Sequence, residues 1–248
     1  MRLLAQGRDA DVFALDDARV LRRYRDPLHS NTEMEARVME YLAGQGYPVP
    51  RVYDATDTDL VMDRLDGPTL MQAWERRPWL LVRYARELAA LHDRLAAVPA
   101  PDWLAPPRTR RTADESAGES AGGAGESGGA GAGVAGGSVL HLDLHPLNVI
   151  VTPDRGPVVI DWTNAAAGDP ALDLARTLVT LATAEIPGTL ARTARRLYVS
   201  SLRRHAHADP RPRLADAARA KLADPNNTPA ESARLRALLR RGAAAPSA

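Results

Sequence analysis

Residues 141–162, "HLDLHPLNVIVTPDRGPVVIDW", set an Asp, an Asn and a second Asp among apolar neighbours. Val149-Ile150-Val151 and Val158-Val159-Ile160 are β-prone runs, separated by Thr152, the turn-forming Pro153-Asp154-Arg155-Gly156, and Pro157. The pattern predicts a hairpin. With a symmetric four-residue turn, position i of the first strand faces position 309 − i of the second, which puts Asn148 opposite Asp161. Facing residues sit about 4.5–5.5 Å apart at Cβ, near enough for both oxygens to hold one cation. Asp143 precedes Asn148 by five residues, in a loop held back by His145-Pro146, and is expected near the same point. Oxygen donors with one or two carboxylates, and no Cys or paired His, favour Mg²⁺ over zinc; Mg²⁺ usually arrives with phosphate.

Taken singly, each of these residues could cap a turn, the commonest role of an Asp at a strand end. Together, "H-x-D-x-x-x-x-N", a hairpin and then "I-D" follow the catalytic-loop and metal-loop order of kinase chemistry.

The stretch resembles the aminoglycoside phosphotransferase and choline kinase-like group of small-molecule kinases. "HLDLHPLNVIV" is similar to that group's H-G-D-x-H-x-x-N, with Leu142 where Gly is usual, and "IDWTNAAAGDPALDLA" fits the segment that follows. The resemblance implies an α+β, bilobal protein-kinase-like fold, with a small β-rich N-lobe (1–66) and a mainly helical C-lobe (67–248). It also implies Mg²⁺-dependent transfer of the γ-phosphoryl of ATP, with GTP as the alternative, to a hydroxyl of a small molecule. By resemblance Asp143 is the catalytic base, Asn148 and Asp161 hold the metal, and His141 and Asp173 support the loop structurally. Asp169 has a local explanation, as a helix N-cap with Pro170 at the first helical position.

Upstream, Val12–Leu15 and Arg19–Arg22 read as strands joined by an Asp16-Asp17 turn. Alternation puts Val20 and Arg22 on one face. The resemblance makes Arg22 the counterpart of the kinase strand lysine, with Arg23 on the opposite face as the competing assignment. Gly7 could let a phosphate approach the backbone, although a simple turn explains it as well. "HSNTEMEARVMEYLAGQGYPVPRV" predicts a helix with a Ser30/Glu33 capping box and a stripe of Met34, Val38, Tyr41 and Leu42. Glu35 alone would be an exposed helix residue, but it borders that stripe, and a carboxylate turned inward calls for a cation such as Arg22. "DLVMDRLDGPTL" predicts a buried strand running into a connector. By resemblance this is the hinge, with main-chain groups from Asp63 to Leu65 offered to adenine.

Further along, Leu81, Tyr84, Leu88, Leu91 and Leu95 form a core-facing helical stripe, and His92 reads as a packed or capping side chain. Residues 112–138 hold 10 of the 18 glycines and few core-forming side chains, which predicts a disordered insertion. Helices are expected at 172–185, 188–206, 212–223 and 229–241, the last with a Thr228/Glu231 capping box.

Composition narrows the classes. The chain of 248 residues is 45% hydrophobic and has no run approaching a membrane span, so no membrane partner and a cytoplasmic location are expected. It has no Cys, which excludes disulfides, thiolate metal sites and Cys nucleophiles. Lys221 is the only lysine, so a cation serving phosphates in the first 220 residues must be Arg. From Glu185 onward 13 Arg and Lys oppose 5 Asp and Glu, a net +8, against −7 before it. A polycationic acceptor suits that charge poorly; a neutral or anionic alcohol suits it at least as well. A nucleotide-binding pseudokinase regulator is the alternative, favoured by the missing strand lysine, by Leu142 and by the weak glycine loop. No nucleic-acid partner is expected, because Tyr198 is the only aromatic residue after Trp162.

Overall fold

A computed structural model describes residues 1–7, 9–26, 31–107, 137–186, 188–224 and 227–243. A five-stranded antiparallel sheet forms the small lobe from β1 (Arg2–Gln6), β2 (Ala10–Ala14), β3 (Arg19–Tyr24), β4 (Val52–Thr56) and β5 (Asp59–Asp63), in the order β1-β2-β3-β5-β4. Arg22 lies on the central strand, flanked by Val12 and Leu60. Helix α1 (Thr32–Gly44) packs beside β4 and β5 through Ala36, Val38, Met39 and Leu42, all buried. Its N-cap is Asn31, which makes no side-chain capping bond; Ser30, and with it the expected capping box, lies outside the described residues.

The larger lobe follows with α2 (Leu70–Arg76), α3 (Leu81–Ala96), α4 (Pro170–Thr183), α5 (Thr189–His205), α6 (Leu214–Leu222) and α7 (Pro229–Ala243). The Leu81-Tyr84-Leu88-Leu91-Leu95 stripe of α3 is buried, and α5 packs against it. Helices α6 and α7 cover α4 through a separate cluster of Ala175, Val179, Ala217, Ala218 and Leu235. The Thr228 and Glu231 bonds that cap α7 are both formed, at 2.9 and 3.1 Å. Among the described residues no helix is long and apolar enough to cross a membrane.

Two small antiparallel pairs complete the lobe: β6 (Ser138–Leu140) with β9 (Ala166–Gly168), and β7 (Val149–Thr152) with β8 (Gly156–Val159). The second pair is the expected hairpin, with a corrected register. Val149 faces Val159 and Thr152 faces Gly156, so the loop is three residues and Asn148 falls opposite Ile160, not Asp161. Gly156 has φ +71°, which closes such a loop at no steric cost. The insertion is corrected too. Gly137 contacts Gly168 and Ser138 begins β6, so 137–138 belong to the fold, while 108–136 lie outside the described residues.

The connector between the lobes packs directly on the hairpin. Val151 N–H donates to Pro68 C=O at 2.9 Å, and a Cβ on Gly67 would stand 2.2 Å from the Val151 carbonyl oxygen. Only glycine allows that approach.

Candidate active site

Strand β3, helix α1 and the segment after β8 converge on one buried carboxylate. Glu35, 3% exposed, accepts from Arg22 at 2.8 Å, from the Tyr24 hydroxyl at 2.6 Å and from the Trp162 amide at 3.1 Å. The second arm of the Arg22 guanidinium donates to Asp161 at 2.8 Å. Burial disfavours the Arg22 charge, and Glu35 with Asp161 more than reverses this, so the group is held above its ordinary value. Arg23 takes the other face of β3 and pairs with Asp59 at 2.6 Å. Alternation along the strand therefore separates the two assignments: Arg22 faces the site and Arg23 does not.

Just past β8, the Asp161 backbone adopts φ +69°, and its carboxylate meets Arg22 at 2.8 Å. Burial pushes its carboxyl up, and the charge and hydrogen bond of Arg22, then Thr163, bring it below the usual carboxylate range. Asn148 Nδ2 donates to the Asp143 carbonyl at 3.0 Å, which fixes the amide and leaves Oδ1 without a protein donor among the described residues. Asp161 Oδ2 is likewise without one. Free oxygens of this kind are donors that a hard cation accepts.

The loop carrying Asp143 is gripped from both sides. Asp173 Oδ1 accepts the His141 and Leu142 amides at 3.0 and 2.5 Å, and Thr177 Oγ1 donates to Leu144 C=O at 2.7 Å. His92 joins these two groups, Nδ1 lying 3.2 Å from Asp173 Oδ2 and Nε2 lying 3.2 Å from Thr177 Oγ1. His141 accepts the Asp143 amide at Nδ1 (3.2 Å) and meets Ile160 C=O at Nε2 (3.0 Å), tying the loop to the Asp161 segment. Leu142 sits at φ +63° between these bonds. Burial raises the Asp143 carboxyl; His145, 3.5 Å away, then His141 and Lys221 pull it below its ordinary value.

Asp143, Asn148, Asp161, Arg22, Glu35, His141 and Asp173 thus form one connected network. Gly7 stands apart from it, its amide turned to Ala10 C=O at 2.8 Å in the β1–β2 connection. Asp63 is used inside the fold: its amide donates to Arg51, and its carboxylate accepts from Tyr53 and from Arg155 of the hairpin at 2.7 Å. The Arg64 amide is taken by Ala18 C=O, so of the Asp63–Leu65 amides only that of Leu65 lacks a partner among the described residues. The sequence reading passed over Tyr24, Thr163 and Thr177. A hydroxyl two residues past Arg22 on the same strand face, and two residues past Asp161, were the available signals. The link from His92 to Asp173 spans 81 positions and carries no local signal.

The sheet of the small lobe and the helices of the larger one form a protein-kinase-like fold. The profile of the phosphotransferase enzyme family (APH) matches residues 1–123 and 135–215, and the chain belongs to that family. Solved structures show the same fold. The streptomycin–ATP ternary complex of APH(2")-IIa superposes with a TM-score of 0.60 at 14% identity, covering 96% of this chain and 90% of that one. A thermostable APH(4)-Ia mutant bound to AMP-PNP and hygromycin B gives 0.63 at 16% identity, covering 98% and 94%. A choline/ethanolamine kinase family protein from Mesorhizobium loti gives 0.58 at 16% identity, covering 96% and 88%. A comparison with curated protein sequences finds no match.

Proposed function

We propose that the protein is a small-molecule kinase that transfers the γ-phosphoryl of ATP to an alcohol. The observation that supports this reading is a set of linked bonds: Arg22 donates to Glu35 and Asp161, and His141 ties the Ile160 carbonyl to the Asp143 amide. In this reading Arg22 is the phosphate-binding cation, Asn148 and Asp161 offer metal-ligating oxygens, and Asp143 is the carboxylate base.

In this reading the small lobe is 1–66 and the catalytic lobe 67–248. The Leu65 amide and neighbouring carbonyls meet the adenine. Arg22 grips phosphate oxygens with its planar fork, a task shared between one arm on Glu35 and one that swings from Asp161 to the nucleotide. Asn148 and Asp161 would hold Mg²⁺, which supplies neutralisation of the phosphate charge when bound. Asp143 accepts the acceptor hydroxyl's proton while orienting its oxygen toward the γ-phosphorus. Its carboxylate, held below its ordinary value, is ionised at neutral pH and so can accept a hydrogen bond from the acceptor hydroxyl and orient it. Two of the three features that favoured a pseudokinase lose force in this reading: Arg22 would serve as the phosphate-binding cation, and Leu142 adopts the glycine-like backbone.

For the acceptor, the net +8 carried from Glu185 onward favours a neutral or anionic alcohol over a polycation. The test is ADP release from ATP across a panel of neutral, anionic and cationic alcohols. Asp143→Asn should lower kcat about 10²–10⁴-fold with an unchanged melting temperature. Acceptor-dependent ADP release equal to native in that variant would refute the base assignment.

A further inference from the structure

Helix α5 carries Arg192, Arg195, Arg196, Arg203 and Arg204 and no carboxylate. At 3.6 residues per turn, Arg192, Arg195, Arg196 and Arg203 fall within an arc of about 100°, while Tyr198 and Leu202 turn into the core. Along that arc runs a groove of about 500 Å³, where Arg195, Arg196, Arg203 and Arg204 surround Val199 and Ser200. Elsewhere the chain matches many exposed arginines to acids, as in Arg19–Asp16, Arg23–Asp59 and Arg213–Asp169. Among the described residues no α5 arginine has such a partner. Arg195 donates to Ala184 C=O and Arg234 to Thr183 C=O, both at 2.8 Å, so the cations crowd around the C-terminal end of α4. Burial, followed by Arg234, Arg196 and Arg192, holds the Arg195 guanidinium below its ordinary value. The carbonyls at the α4 C-terminus offset part of this like charge, and an anion would offset more.

We propose that this groove binds a soluble small molecule carrying two or more phosphate groups, at a site apart from the phosphotransfer hairpin. Guanidinium forks match phosphate oxygens in pairs. The volume falls in the range of small-ligand sites, roughly 300–1,000 Å³. A single-stranded nucleic acid would need exposed aromatic rings to stack on, and the one aromatic of α5, Tyr198, is 1% exposed. Ala182, on the groove wall, lies nine residues beyond Asp173, or about 13 Å along α4, so the groove is not the Asp143 cleft. The inference goes beyond the kinase reading and does not depend on it.

Calorimetric titration with tripolyphosphate, without divalent cation, tests the site on three proteins: native, Arg22→Gln, and the double variant Arg196→Ala with Arg203→Ala. The expected result is one saturable site kept in folded Arg22→Gln and weakened at least about tenfold in the double variant, whose melting temperature stays native. Each of four results would overturn it: no saturable binding, equal binding in the double variant, loss in folded Arg22→Gln, or displacement of the probe by anionic phospholipid vesicles or an oligonucleotide at lower phosphate concentration. Loss in folded Arg22→Gln would move the anion to the hairpin and leave the kinase reading intact.

Discussion

Leu142 shows how a single side chain can sit where a glycine would be easier. Its φ of +63° costs an L-residue about 1–2 kcal/mol, yet the side chain is 5% exposed among Leu140, Ala166 and Leu172. The Asp173 bonds to the His141 and Leu142 amides impose the backbone, and apolar burial offsets it. Truncation separates the two effects. Leu142→Gly and Leu142→Ala should both lose about 2–5 kcal/mol, but Gly should be the more stable of the two by about 1 kcal/mol, reversing the usual order. Urea unfolding of the pair measures this, and Ala above Gly would contradict the strained backbone. At this scale the sequence was informative. The spacing H-x-D-x-x-x-x-N names Asp143 and Asn148, and strand alternation with helical spacing names Arg22 and Glu35. The bent backbone that aims Asp161 was invisible, because it arises where the segment after β8 meets β3 and α1.

Elements of strong periodicity were legible, and those defined by their neighbours were not. The stripe of α3 and the caps of α4 and α7 appear where expected. Strand β1 was missed because all five residues are exposed and Leu3-Leu4 breaks alternation; β6 and β9, three residues each, form by pairing with one another and with the segments at Val98-Pro99 and Ala105. The hairpin register slipped because a four-residue turn was assumed where Gly156 permits three. Helix α4 holds the catalytic loop through Asp173, whose carboxyl is raised by burial and brought below its ordinary value chiefly by His92, with His141 and the Leu142 amide. A carboxylate depressed in the folded state contributes stability that is present above its unfolded pKa, about 3.9, and is lost as pH falls through the folded value. Asp173→Asn should therefore be less stable than native by about 1–3 kcal/mol at neutral pH, with the difference shrinking below about pH 3.9. Chemical unfolding from pH 7 downward checks this; a constant difference across that range would refute the depressed Asp173 carboxylate.

At the scale of the whole molecule, the lobes meet through Arg22–Asp161, the Glu35 bond to Trp162 and Arg155–Asp63. The ends of the glycine-rich segment also meet. Ala100 N–H donates to Gly137 C=O at 2.8 Å, and both Pro107 and Gly137 abut Gly168. Because closing a loop costs only about 0.6 kcal/mol per doubling of length, excising 112–136 should move stability by about 1 kcal/mol or less; a loss of several kcal/mol would show that the segment contributes to the core. The central claim is that Arg22, Asn148 and Asp161 form a metal-dependent nucleotide phosphate site. Thermal stabilisation by ATP, with and without Mg²⁺, tests it most directly on native protein and on Asp161→Ala, each referred to its own nucleotide-free melting temperature. The account predicts a Mg²⁺-dependent rise in the native protein that is abolished in the variant. No rise in native protein at saturating ATP and Mg²⁺, or an equal rise in the variant, would contradict it.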